Sequence, residues 1–204
     1  MMRLYRIPLS TNVERVALAL AHKGIEVESI EIDPDDRSRV REVSGQDLVP
    51  VLEDGGKVIV DSMEIVRYLE EKHPAQPLYP ADPARRTEML IFIDWFNRVW
   101  KRPPNEIFVE MGKPSPDPVR IERLGKAMTA SLDLFEGMLS GRDYLMGEFS
   151  AADCAAFPFV EFAHFHPQGD PYRFHQILVD WMPLGARHER LKGWLEHVDA
   201  RPRA

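Results

Sequence analysis

The sequence predicts an α/β domain followed by an all-helical one. Three observations carry that expectation: short β-branched runs alternate with helical periods over the first third of the chain, a cluster of prolines at 74, 77, 80 and 83 interrupts it, and beyond them strand signals fade while long helical periods take over. The expected boundaries are 1–76 for the α/β domain, 77–83 for a linker and 84–204 for the helical domain.

Within the first part, Arg3 to Ile7 reads as a strand. Val13, Val16, Ala17 and Leu20 follow at helical spacing, and Val27 to Ile32 reads as a second strand. Val49-Pro50-Val51-Leu52 and Val58-Ile59-Val60 flank Asp54-Gly55-Gly56, the pattern of two strands joined by a tight hairpin turn. Ile65, Val66 and Leu69 continue as a helix that ends before Pro74. The order is βαβ followed by ββα, and right-handed crossover makes it one mixed sheet with helices packed on it.

In the second part the clearest helical stripe is Phe92, Trp95, Phe96, Val99 and Trp100. Pro103-Pro104 is expected to kink or end that helix. Pro114, Pro116 and Pro118 mark a further break before a helix from about Val119 to Leu139. Ser150 with Asp153 three positions later, ahead of an apolar run, is a capping box that starts another helix. The remainder carries Pro167, Pro171 and Pro183 and two shorter helices, near Phe174 to Trp181 and Leu191 to Val198.

Composition excludes several classes of function. With 26 Lys plus Arg against 33 Asp plus Glu, the net charge of −7 works against a nucleic-acid binder held by phosphate contacts. No apolar run approaches the roughly 20 residues that cross a bilayer, and the start lacks a long apolar signal core. A cytoplasmic protein without membrane partners is expected. The single cysteine, Cys154, excludes an intramolecular disulfide and the CxxC and four-cysteine zinc patterns.

Three places can carry chemistry. The junction Pro8-Leu9-Ser10-Thr11-Asn12-Val13-Glu14-Arg15 hands a strand over to a helix, so backbone N–H groups and the positive helix end point at whatever lies above it. A hydroxyl there can hold an anion or a thiolate; equally, Thr11 and Glu14 form a capping box with Ser10 and Asn12 as turn residues. Val49-Pro50 heads an apolar strand where proline has no N–H for the ladder, which calls for an edge or a special turn, with a cis bond as one possibility. Asp61-Ser62 lies at the next strand-to-helix junction. There Asp61 and Glu64 can cap the helix reciprocally, or Ser62 and the helix end can bind a carboxylate while Asp61 takes an ammonium group.

In this order, ahead of a helical second part, these segments resemble the cytosolic glutathione transferase superfamily. The resemblance covers nearly the whole chain and rests on the Ser-containing turn with Val13 to Leu20 and Lys23-Gly24, on Leu48 to Leu52, on Asp61 to Leu69, on Leu78-Tyr79-Pro80 and on Gly147 to Asp153. It implies a thioredoxin-like N-terminal domain that binds glutathione as co-substrate and an all-α C-terminal helical bundle that contributes a pocket for a small hydrophobic electrophile. It also implies a homodimer and a detoxification role. By residue, Ser10 matches the serine that hydrogen-bonds the glutathione sulfur, with Thr11 and Asn12 as alternatives because the register to Lys23-Gly24 differs between subgroups. Val49 and Pro50 match the pair that meets the cysteinyl backbone, and Asp61 and Ser62 match the acidic-Ser pair that holds the γ-glutamyl end. Tyr5 is expected inside the first strand, away from the sulfur. The turn holds no cysteine, which counts against the subgroups that form a mixed disulfide, and Leu48 stands where a basic residue is often found. Conjugation, glutathione-dependent disulfide or peroxide reduction, and isomerisation all fit one bound thiolate. A non-catalytic binding protein of the same fold is the rival reading.

Other features read as structural. Cys154 is expected to be a buried small hydrophobe. His164 and His166 are two apart, so on a helix they face differently, and no metal site is expected with His175. The aromatic stripe is core, or in part the lining of an apolar pocket with Phe108 and Met111. Arg85-Arg86 and the 187–190 stretch read as solvated faces or dimer contacts.

Overall fold

A computed structural model describes residues 1–166 and 168–204. Pro167, one of the breaks read late in the chain, lies outside the described residues. The chain divides into two compact units, Met1–Pro80 with Ala200–Ala204, and Ala81–Asp199.

In the first unit β1 (Arg3–Arg6), β2 (Glu28–Glu31), β3 (Val51–Asp54) and β4 (Lys57–Val60) form one sheet in the order β2-β1-β3-β4. β1 and β2 are parallel, joined across α1 (Thr11–His22), while β3 and β4 each run antiparallel to the preceding neighbour. The hairpin closes through Gly55 and Gly56 at φ 56° and 87°, the left-handed pair that a two-residue turn requires and that glycine enters without a Cβ clash. β3 is therefore interior to the sheet, so Pro50 is not the edge proline its chemistry allowed. It stands just ahead of the ladder, after a cis Val49–Pro50 bond.

Side chains alternate along these strands. Tyr5, Ile30 and Val51 join Ile7, Ile32 and Val40 in one buried cluster, with Val43 and Val49 packed against it. Leu4 and Leu52, partners in register, point to the opposite face. Val16 and Leu20 of α1 and Ile65 and Leu69 of α3 (Ser62–Lys72), two helices that pack together, are fully buried; each such side chain contributes roughly 2 kcal/mol relative to leaving it in water.

One helix of this unit escaped the sequence reading. α2 (Ser38–Ser44) has a single fully buried residue, Val40, and ends on Gly45 at φ 73°. Seven residues with one apolar anchor leave no periodicity to read. The tail 200–204, expected with the helical half, lies along α1 instead. Arg203 Nε meets Glu14 Oε1 at 2.6 Å, Arg201 Nη2 donates to His22 Nδ1 at 2.8 Å, and Ala204 N donates to Ala17 O at 3.3 Å. Lys23, which ends α1, sends its Nζ to His73 O at 2.8 Å and Glu70 Oε2 at 2.6 Å, joining the C-terminal ends of α1 and α3. Leu78 N donates to Glu70 Oε2 at 3.0 Å, which carries the first unit through the segment expected to be linker.

The second unit is helical: α4 (Pro83–Trp95), a π-helical turn at Phe96–Trp100, α5 (Arg102–Met111), α6 (Pro118–Met138), α7 (Ala151–Val160), a 3₁₀ turn at Glu161–Ala163, α8 (Arg173–Trp181) and α9 (Glu189–Asp199). Pro103 and Pro104 interrupt the first long helix as expected, because they fall in the opening turn of α5, where a backbone N–H has no partner to lose. Phe92, Phe96 and Trp100 are core, with Phe96 and Trp100 stacked at 4.5 Å and Phe135 and Phe159 edge-on to both. Val99, Phe108 and Met111 are exposed.

Every residue of α7 is buried, including Cys154. Its N-terminus depends on Asp153, whose Oδ2 accepts from Ser150 N at 2.8 Å and Ser150 Oγ at 2.9 Å, and whose Oδ1 accepts from Leu145 N at 3.0 Å and Trp194 Nε1 at 2.8 Å. Burial pushes this carboxyl up while the four donors pull it down. The arginine stretch near α9 is exposed, as expected, and paired: Arg187 meets Asp133 at 2.7 Å and Arg190 meets Glu136 at 2.7 Å, linking the start of α9 to α6. Asp153→Ala leaves two backbone N–H groups and an indole N–H in the core without an acceptor. It is expected to lower stability by about 3 kcal/mol or more, measured by urea unfolding, with Asp153→Asn losing less.

Candidate active site

The sheet register brings the three sequence-derived candidates to one place. Tyr5 of β1 pairs with Val51 of β3, which pairs with Val60 of β4. Continuing from that row in the same direction, β1 leads to Pro8-Leu9-Ser10, β3 is entered from Val49-Pro50, and β4 leads to Asp61-Ser62. All three segments therefore lie at one end of the sheet, two of them as helix N-termini.

At the first, Ser10 rather than Thr11 is the N-cap. Its carbonyl accepts from Glu14 N at 3.0 Å, and its Oγ accepts from Val13 N at 3.4 Å, a long bond that does not use the hydroxyl's own proton. The turn is set by Leu9 at φ 62°. Thr11 is the first helical residue and buried, Asn12 is half-buried, and Glu14 turns to Arg203. The Thr11–Glu14 capping box is thus not formed, because the helix starts one residue earlier than that box needs.

At the third, Asp61 is the N-cap of α3, held at φ 69°. Its Oδ1 accepts from Met63 N at 2.8 Å and Glu64 N at 3.2 Å. The return half of the cap is absent because Glu64 pairs with Arg67. Ser62, the first helical residue, is only 3% exposed, and its Oγ accepts from Arg15 Nη1 at 3.3 Å. Arg15, 2% exposed, was missed by sequence reasoning; it sits on the apolar side of α1 in an otherwise hydrophobic run, and that was the available signal. Gln46 was missed as well: its side chain clasps the backbone of Leu48, accepting from Leu48 N at 2.6 Å and donating to Leu48 O at 2.7 Å, and so shapes the approach to Val49-Pro50.

Tyr5 is not part of this end. Its hydroxyl donates to Glu53 Oε2 at 2.9 Å, and burial followed by that carboxylate raises its pKa. His175 Nδ1 pairs with Asp170 at 2.6 Å, and no group of three metal-ligating side chains occurs among the described residues. A cavity of about 360 Å³ between α5 and α6 has a charged lining, but its ions satisfy one another, Arg102 and Arg120 on Glu106 at 2.5 and 3.0 Å and Lys113 on Glu110 at 2.7 Å.

Comparison with known proteins gives the family. Residues 4–77 match the family model of the glutathione S-transferase N-terminal domain, and residues 118–197 match that of the C-terminal domain. The chain belongs to the glutathione S-transferase family. It is 30% identical to glutathione S-transferase 3 of Zea mays over 166 residues, covering 74% of this chain and 73% of that one. Among solved structures it resembles the beta-etherase LigF from Sphingobium sp. strain SYK-6, with a TM-score of 0.80 at 23% identity over 98% of this chain and 96% of the other. It also resembles a theta class glutathione S-transferase from Xanthomonas axonopodis pv. citri solved with glutathione bound, with a TM-score of 0.74 at 24% identity over 98% and 93%. The architecture is thus a thioredoxin-like domain with a helical bundle, and the chain is a glutathione S-transferase-like enzyme of a family whose co-substrate is glutathione.

The two helix caps differ in strength, and this is measurable. Asp61→Ala removes a carboxylate that accepts two backbone N–H groups and is expected to cost about 1–2 kcal/mol. Ser10→Ala removes one long bond and is expected to cost about 0.5 kcal/mol or less, so urea midpoints should fall clearly for the first variant and barely for the second.

Proposed function

We propose that this protein is a glutathione transferase that conjugates or reduces small hydrophobic electrophiles with a glutathione thiolate stabilised by Ser10. The observation that carries the reading is the convergence of Ser10, Val49-Pro50 and Asp61-Ser62 at one end of the sheet. Glutathione has a group for each. Its thiolate lies at the positive end of α1 and accepts a hydrogen bond from the Ser10 hydroxyl, whose proton the cap bond leaves unused. Its cysteinyl backbone pairs with Val49. Its γ-glutamyl end meets Ser62 and the α3 N-terminus with its carboxylate and Asp61 with its ammonium group.

A cysteine-type thiol ionises at about 8.5 in water. A hydrogen bond and a helix end both favour the anion, so bound glutathione is reactive near neutrality. The thiolate then attacks the electrophilic carbon, with rate gained from its ionisation and from proximity. Ser10 is favoured over Thr11 and Asn12 because it caps the helix and is not buried, whereas Thr11 is. Reduction of disulfides or peroxides and isomerisation start from the same thiolate, so the ligand is assigned ahead of the reaction class.

Titration calorimetry with reduced glutathione, followed by the ultraviolet thiolate signal against pH, tests this reading. Wild type should bind glutathione and lower its thiol pKa. Ser10→Ala should keep binding but return the thiol towards its free value, cutting turnover on the order of a hundredfold near pH 6.5. The loss should shrink near pH 9, where the thiol ionises unaided at about 8.5. Ser62→Ala should weaken glutathione binding about ten-fold. Absence of binding at millimolar glutathione would move the assignment to a non-catalytic binding protein. The family relationship also leads us to propose a homodimer in the cytoplasm; light scattering of purified protein should give twice the chain mass, and a monomer alone rejects it.

A further inference from the structure

Glu14 is the acidic residue in the first turn of α1, four positions after the N-cap Ser10 and so about 6 Å along the axis from it. A carboxylate there suits the helix, whose N-terminus is a positive pole, but it works against any second anion brought to the same end. A thiolate on Ser10 is such an anion. The chain meets this conflict with Arg203, whose Nε lies 2.6 Å from Glu14 Oε1, the two side chains being 24% and 25% exposed. The strap 200–204 delivers that guanidinium and is itself fixed to the first unit. Arg201 Nη2 donates to His22 Nδ1 at 2.8 Å, Ala204 N to Ala17 O at 3.3 Å and Arg6 Nη1 to Ala204 O at 3.1 Å.

We infer that Arg203 is a positioning residue of the transferase reaction, acting through Glu14: the pair cancels the carboxylate charge at the head of α1 and keeps that helix end favourable to a thiolate on Ser10. An ion pair of this exposure contributes little to stability, so its consequence is the local field. At one helical turn, between half-buried groups, a charge is screened only in part. The other charged groups around α1 are committed: Arg15 donates to Ser62 Oγ, Asp61 accepts two backbone N–H groups of α3, Glu64 pairs with Arg67, and Arg6 and Arg201 hold the strap. None of these bonds involves Glu14. The inference rests on the reading of Ser10 as the thiolate contact and adds the pair that sets the charge beside it.

The test follows the ultraviolet thiolate signal of bound glutathione against pH, with calorimetry of S-methylglutathione, which has no thiol to ionise, as the control for the shape of the site. The proteins are wild type, Ser10→Ala, Arg203→Met, Arg203→Lys, Glu14→Gln and Arg203→Met combined with Glu14→Gln, each checked for folding by circular dichroism. Arg203→Met should raise the midpoint of thiolate formation by about half a pH unit, which lowers the thiolate present at pH 6.5 about three-fold. Its affinity for S-methylglutathione should be unchanged. Adding Glu14→Gln should return the midpoint to the wild-type value, Arg203→Lys should hold it there, and added salt at about 1 M should shrink the Arg203→Met shift. If Arg203→Met does not fold, Glu14→Gln is read alone; its midpoint should lie below that of wild type, because one negative charge has left the helix end, and an unchanged or raised midpoint overturns the inference. An unchanged midpoint in folded Arg203→Met, a raised midpoint that persists when Glu14 is also replaced, or weakened S-methylglutathione binding overturns the inference alone. A wild type that binds no glutathione, or a Ser10→Ala variant with the wild-type midpoint, overturns the Ser10 assignment and this inference with it.

Discussion

The row of hydrogen-bonded partners Tyr5, Val51 and Val60 is the constraint on which the candidate site depends. A sheet transmits position along its strands with little play, because each residue is fixed by ladder bonds and by a side chain committed to one face. A slip of one residue in β3 would turn Val51 from its cluster and carry Val49-Pro50 away from the Ser10 turn. The site is thus assembled from segments some forty and ten residues apart by the same register that buries the core.

Both polarities meet at that end of the sheet. Two helices begin there, and a guanidinium is buried beside the second. The Asp61 carboxylate accepts two backbone N–H groups of α3 and Arg15 donates to Ser62, so the helix starts are met by groups of this chain. The opposite ends of α1 and α3 are stabilised by a different device, the buried ammonium of Lys23 lying on the carbonyl of His73 and the carboxylate of Glu70. One pair of helices is therefore joined at its C-terminal ends and capped by Ser10 and Asp61 at its N-terminal ends. In the helical unit the equivalent of that closure is Asp153, a carboxylate surrounded by donors at the head of a helix with no exposed face.

Much of this was legible in the sequence wherever a local pattern had a local cause. The hairpin was readable from Asp54-Gly55-Gly56, the α7 start from Ser150 and Asp153, and the break before α5 from two adjacent prolines, since each acts through its own backbone. The likeness to glutathione transferases was carried by segments of this kind, and the family relationship bears it out. What escaped had no local cause. α2 is held by Val40 against a cluster contributed by three strands. The arginines at 187 and 190 are exposed, as read, but their partners Asp133 and Glu136 lie more than fifty residues earlier in the chain.

By itself, then, the amino-acid order determined the class of fold, the boundaries of most elements and the residue types available for an anion or thiolate, because periodicity, turn chemistry and capping act over a few residues. Only the tertiary structure decided that Ser10 and not Thr11 caps α1, that Tyr5 is spent on Glu53, that the last five residues lie on α1 and that Arg15 stands behind Ser62. Each of these depends on which groups a packed sheet and two helices bring within hydrogen-bonding distance across 47 or more residues of chain, or, for Ser10, on where the strand ends and the turn begins.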